Sequence, residues 1–127
     1  MLISSDLVTD LAGDTPFTDK TLAFVKSVMD GLLYVEATPA GDIISGQVKK
    51  GGGDSVVAVT NVAVRTIAAV GGTIAVGTGT AMAGAGTVQC WLQTTGAGAF
   101  QVTITHTGAC LVEITPHQGV TMVVTLA

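Results

Sequence analysis

Charge is scarce in this chain and unevenly placed. Charged residues fill 11% of the 127 positions, against roughly a quarter in ordinary soluble domains. Eight of the nine acids and four of the five bases precede residue 55, and after Asp54 only Arg65 and Glu113 carry charge. Lys49-Lys50 is too small a basic patch to hold a phosphate backbone, and the net charge of −4 has the wrong sign, so no nucleic-acid partner is expected. Aromatics are also few, at 4%, and an outer-membrane barrel needs aromatic girdles. Positions 66–112 are uncharged, but Gly and Thr interrupt them every few residues, which argues against a membrane span.

Motifs for chemistry are lacking too. Cys90, Cys110, His106 and His117 include no Cys-x-x-Cys and no His-x-x-x-His, so no metal site is expected. The glycine runs at 51–53 and 77–86 do not join a strand to a helix, and so do not form a phosphate loop. With two histidines, few acids after Asp54 and no nucleophile elbow, neither an enzyme nor a cofactor is expected. Residues 1–13 have no basic start, and Asp6 and Asp10 stand where an export signal would be apolar. The two cysteines are therefore expected to be reduced, and their shared phase with Val88, Leu92, Val112 and Ile114 predicts that they are buried.

What the chain does have is Val, Ile, Thr, Ala and Gly, the composition of a β domain. The clearest signal is TVQCWLQTTGAGAFQVTITHTGACLVEIT, residues 87–115. Val88, Cys90 and Leu92 alternate with Gln89, Trp91 and Gln93; Phe100, Val102, Ile104 and His106 alternate with Gln101, Thr103 and Thr105. Period two marks half-buried strands, and the short glycine-bearing link predicts a hairpin between them. Cys110, Val112 and Ile114 predict a third strand.

Ahead of this stretch, residues 1–16 form an acidic arm closed by Pro16. Thr18 suits a helix N-cap, Phe17 can staple onto Leu22, and Asp19 favours the first turn. Leu22, Val25, Val28, Met29 and Leu32 keep helical spacing to Gly31, which predicts a short helix over about 19–30. A hairpin turning at Asp30-Gly31 is the rival. Strands are predicted over 32–38 and 43–48, and Lys49-Lys50-Gly51-Gly52-Gly53-Asp54 is the strongest linker signal. Beyond it come a strand from Val56 to Arg65, a turn at Gly71-Gly72, a strand over 73–76, a low-complexity loop over 77–86, a turn at 116–119 and a last strand over 120–126. The expected organisation is an arm with one helix and one strand in 1–50, then an antiparallel β-sandwich of about six or seven strands in 51–127.

Trp91 is the one tryptophan and lies on the phase opposite Cys90 and Leu92. Facing outward between Gln89 and Gln93, it suits an interface anchor; with the strand inverted, it is core. Leu2, Leu7 and Leu11 make the arm too apolar for a solubilising tail, which points to a groove on a neighbouring subunit.

Threonine, a short polar turn, glycine, an alternating Val/Thr strand, and then a strand after Gly-Ala run through TTGAGAFQVTITHTGACLVEIT. In this pattern residues 55–127 resemble bacterial immunoglobulin-like domains, which recur in the virion proteins of tailed bacteriophages. The resemblance implies an immunoglobulin-like fold and a structural subunit of a virion. A capsid decoration (cement) protein fits best, with a neck or tail component next. The partners it implies are other virion subunits, such as a major capsid protein, and further copies of the chain. A carbohydrate- or protein-binding module, using Trp91 and its flanking glutamines, is the other expectation.

Overall fold

A computed structural model describes residues 31–127. Seven antiparallel strands run through them: β1 (Leu33–Ala40), β2 (Ile43–Lys50), β3 (Asn61–Thr78), β4 (Thr80–Ala83), β5 (Gln89–Gln93), β6 (Ala99–Pro116) and β7 (Met122–Leu126). They form one hydrogen-bonded sheet in the order β1-β2-β6-β3-β5-β4, and β7 pairs with β6 off that path. No helix occurs among the described residues. The expected helix over 19–30 and the arm residues Leu2, Leu7 and Leu11 lie outside them.

The sheet curls because its two longest strands bend. Asn61 opens β3 and Thr80 opens β4 just beyond the other end of β3, yet both are cross-strand partners of Gln93. An extended strand of that length would span about 60 Å, whereas two strand spacings are about 10 Å. The bend falls where the β3–β6 register slips, between Ala68 and Val70 and between Gly71 and Thr73. Gly71 and Gly72 have φ of 77° and 89°, a region that side-chain-bearing residues rarely adopt. Bulges of this kind add local twist and turn the strand direction. Thr66 braces the inside of the bend, its hydroxyl donating to the Gly72 carbonyl.

Several expectations are corrected here. The Gly71-Gly72 turn is a bulge within one continuous strand. The strands expected at 100–106 and 110–114 are likewise one strand, β6, which passes through Gly108 (φ 75°). The 77–86 loop contains β4. Of the strand expected from Val56 to Arg65, only Asn61 onward lies in β3, and Val57 is exposed. The hairpin of the 87–115 stretch is absent: β5 and β6 both pair with β3, on opposite sides, and the link 94–98 crosses between them. The 49–54 stretch is a turn within the sheet, since β1 and β2 precede it and β2 pairs with β6. Residues 33–50 therefore belong to the same sheet as the rest. All seven strands are joined in one connected, curled antiparallel sheet.

The alternation itself holds. Val62 and Val64 of β3, Cys90 and Leu92 of β5, and Phe100, Val102, Ile104, Cys110, Val112 and Ile114 of β6 are buried in one cluster with Ile44 and Val48 of β2. Phe100 is the one aromatic residue among the buried hydrophobics of the described residues, and most of the others there are β-branched. Val88 breaks the phase: it lies just before β5 and is exposed.

Candidate functional site

β5 puts its even residues inward and its odd residues outward. Cys90 and Leu92 are fully buried, and Trp91 between them is 47% exposed. Its cross-strand neighbours are Ala63 on β3 and Ala83 on β4. Two methyl groups cannot cover an indole, so about half of the residue stays open to solvent. Beside it is an open recess of about 280 Å³, lined by Asn61, Ala63, Thr115, Pro116 and His117 with Trp91.

The same outward phase continues across β3, β6 and β7. Arg65 lies opposite Gln89 on one side and Glu113 on the other, and Glu113 lies opposite Val123. One row further, Ile67 faces Leu111, and Leu111 faces Thr125. Ile67, Leu111 and Val123 are all exposed. This face thus carries four large exposed hydrophobic side chains around one acid and one base. Gln89 is exposed and Gln93 half-buried. The structure brings Trp91, Gln89 and Gln93 onto this face and adds Arg65, Ile67, Leu111, Glu113 and Val123. The scarcity of charge pointed to Arg65 and Glu113; only register shows that they are neighbours.

The outer face of β1 and β2 differs. Glu36, Thr38, Ser45, Gln47 and Lys49 line a shallow polar depression of about 380 Å³, and Lys49 Nζ lies 3.8 Å from Glu36 Oε2.

His106 sits at the β6 bend. Its Nε2 lies 2.9 Å from Asp42 Oδ1, and its Nδ1 lies 2.6 Å from the Gly108 carbonyl. The hydrogen bond to Asp42 raises its pKa most; the Gly108 carbonyl and the carboxylate's charge add to this, and desolvation partly offsets it. With both ring nitrogens engaged, the pair leaves none to activate a nucleophile. His117 is exposed at the recess, and its backbone N–H donates to Asn61 O at 2.8 Å. Cys90 and Cys110 are free and buried. Among the described residues, no group of three or more His, Cys, Asp or Glu is placed to hold a metal ion, and no helix is long and apolar enough to cross a membrane. No protein family, curated protein or solved structure matches the chain.

Proposed function

We propose that this chain is a structural subunit of a tailed-bacteriophage virion, most concretely a capsid decoration protein, with a neck or tail component as the nearest variant. Made in the host cytoplasm, it docks in the virion onto other subunits, such as a major capsid protein, and onto copies of itself. The observation that carries the reading is the outer face of β5, β3, β6 and β7, where Trp91, Ile67, Leu111 and Val123 are exposed together. A charge-poor apolar face of this kind favours burial against another protein. The pattern of residues 94–115 supplies the virion context. We read the curled sheet as an immunoglobulin-like sandwich whose long strands bend from one layer into the other. Leu2, Leu7 and Leu11 of the arm add a second contact on a neighbour.

The test is Trp91→Ala. An exposed indole that anchors an interface contributes about 2 kcal/mol or more, so the variant is expected to bind its particle on the order of 30-fold more weakly while its own unfolding transition stays in place. Unchanged incorporation into particles overturns the reading.

The recess beside Trp91 favours one second reading, a carbohydrate-binding module in which the indole stacks on a sugar ring and Gln89 and Gln93 hydrogen-bond its hydroxyls. A soluble monomer whose Trp91 emission shifts with an oligosaccharide selects that reading over the first.

A further inference from the structure

Of the charged residues after Asp54 there are only two, Arg65 and Glu113, and both lie on the Trp91 face. They are direct cross-strand neighbours, yet neither makes an ion pair or a side-chain hydrogen bond with any described residue. An acid and a base side by side at the centre of an apolar face form a self-complementary pattern. We propose that the outer face of β5, β3, β6 and β7 docks against the same face of a second copy. The two-fold axis runs parallel to the strands between β3 and β6, so that Arg65 of each copy meets Glu113 of the other. This rests on the reading of that face as an assembly surface and names what occupies it.

The register tests the idea residue by residue. A two-fold axis lying in the interface along the strands exchanges β3 with β6 and β5 with β7, without shifting rows. Arg65 then falls on Glu113, and Ile67 falls on Leu111, because these are same-row partners. Trp91 falls over Thr121, beside Val123, because Trp91 shares a row with Ala63 and Thr115, and Thr115 Oγ1 lies 2.8 Å from Thr121 Oγ1. Ile67 thus meets Leu111, the indole of Trp91 lies between Thr121 and Val123, Gln89 lies over Val123, and each charge meets its opposite. The other in-plane axis, across the strands, puts Arg65 on Arg65 and Glu113 on Glu113. Like-charge contact rejects that arrangement, so the single acid–base pair chooses both partner and orientation. Two sheets packed face to face with nearly aligned strands are also a standard sheet-on-sheet geometry.

The experiment uses the full chain and two substitutions, R65E at an exposed position and E113R at a half-buried one, with the circular dichroism of each checked against the wild type. Wild type is expected to be a dimer by sedimentation, and dilution should move the emission of its only tryptophan to the red. Each variant alone places two like-charge pairs at the axis and is expected to dimerise on the order of 100-fold more weakly. Mixed together, the two variants are expected to form a heterodimer within about 10-fold of the wild-type affinity, since every cross-axis pair is then again an acid with a base. A wild type that stays monomeric overturns the proposal, whether Trp91 is solvent-exposed or is shielded from acrylamide by the chain's own N-terminal segment. So does a mixture that fails to restore the dimer, or single variants that dimerise like wild type. If those variants dimerise normally and Trp91→Ala still weakens particle binding, the face docks onto another protein and only the self-pairing is wrong. If Trp91→Ala is silent as well, the assembly reading itself fails.

Discussion

Phe100 lies directly opposite Gly46 in the β2–β6 register, and its ring fills the space that a side chain on Gly46 would need. The aromatic ring and the bare backbone are two halves of one packing solution: a glycine in a strand gives up side-chain burial, and a neighbouring ring covers the gap. Gly46→Ala is expected to push the ring of Phe100, which is 2% exposed, out of the core. Overpacking of this kind costs about 1–3 kcal/mol. Urea unfolding measures it, and an unchanged midpoint would show that the ring has room to move.

The His106 tie makes stability depend on pH. Asp42 Oδ1 and the Gly108 carbonyl can only accept, so both contacts are hydrogen bonds only when both ring nitrogens carry protons. The ring is covered, at 3% exposed, while the Asp42 side chain is 58% exposed. Around the ring, β3 contributes Gly71 in register, which is not ionisable, and Asp42 is the ionisable group in contact. The pKa is raised in the folded chain, chiefly by the hydrogen bond to Asp42. The folded state therefore holds the proton more tightly than the unfolded chain. The stabilisation is complete below the ordinary histidine value of about 6.5 and is lost as pH rises through the raised folded value. An NMR titration is expected to place His106 above that ordinary value, and Asp42→Asn is expected to bring it down. Thermal unfolding of His106→Gln should lose the wild type's decline over the same range. Titration of His106 at or below about 6.5 would remove the basis for the tie.

Thiol reactivity follows from burial. Cys90 and Cys110 are 0% and 1% exposed. Desolvation pushes both thiols up; for Cys110 a backbone hydrogen bond with Ile67 offsets part of this, and the Asp42 charge adds to it. The thiolate is the reactive form, so a disulfide reagent at pH 8 is expected to modify neither group at an appreciable rate in the folded chain and both groups in denaturant. Rapid modification of the native chain would mean that β5 or β6 opens easily; no modification after unfolding would mean a disulfide.

Which side chains face inward was legible from the sequence. The phase that put Cys90, Leu92, Val102, Ile104, Val112 and Ile114 in the core and Trp91 outside follows from the two-residue repeat of a strand, which is local and needs no partner. Pairing was not legible, because every strand offers the same backbone donors and acceptors and the repeat names no neighbour. β3 offers two hydrogen-bonding edges, and its residues 62–65 pair with β5 on one and β6 on the other, so β3 displaced the hairpin that the short 94–98 link suggested. A pair of glycines looks alike in a turn and in a bulge; what makes Gly71-Gly72 a bulge is that β6 continues beside it and bends at Gly108. β4 escaped notice because Thr80–Ala83 is exposed throughout and carries no alternation. For the same reason the sequence showed Arg65 and Glu113 as isolated charges in a neutral half. Register alone made them neighbours at the centre of an apolar face, since a contact between residues so far apart in the chain exists only once the sheet has closed around them.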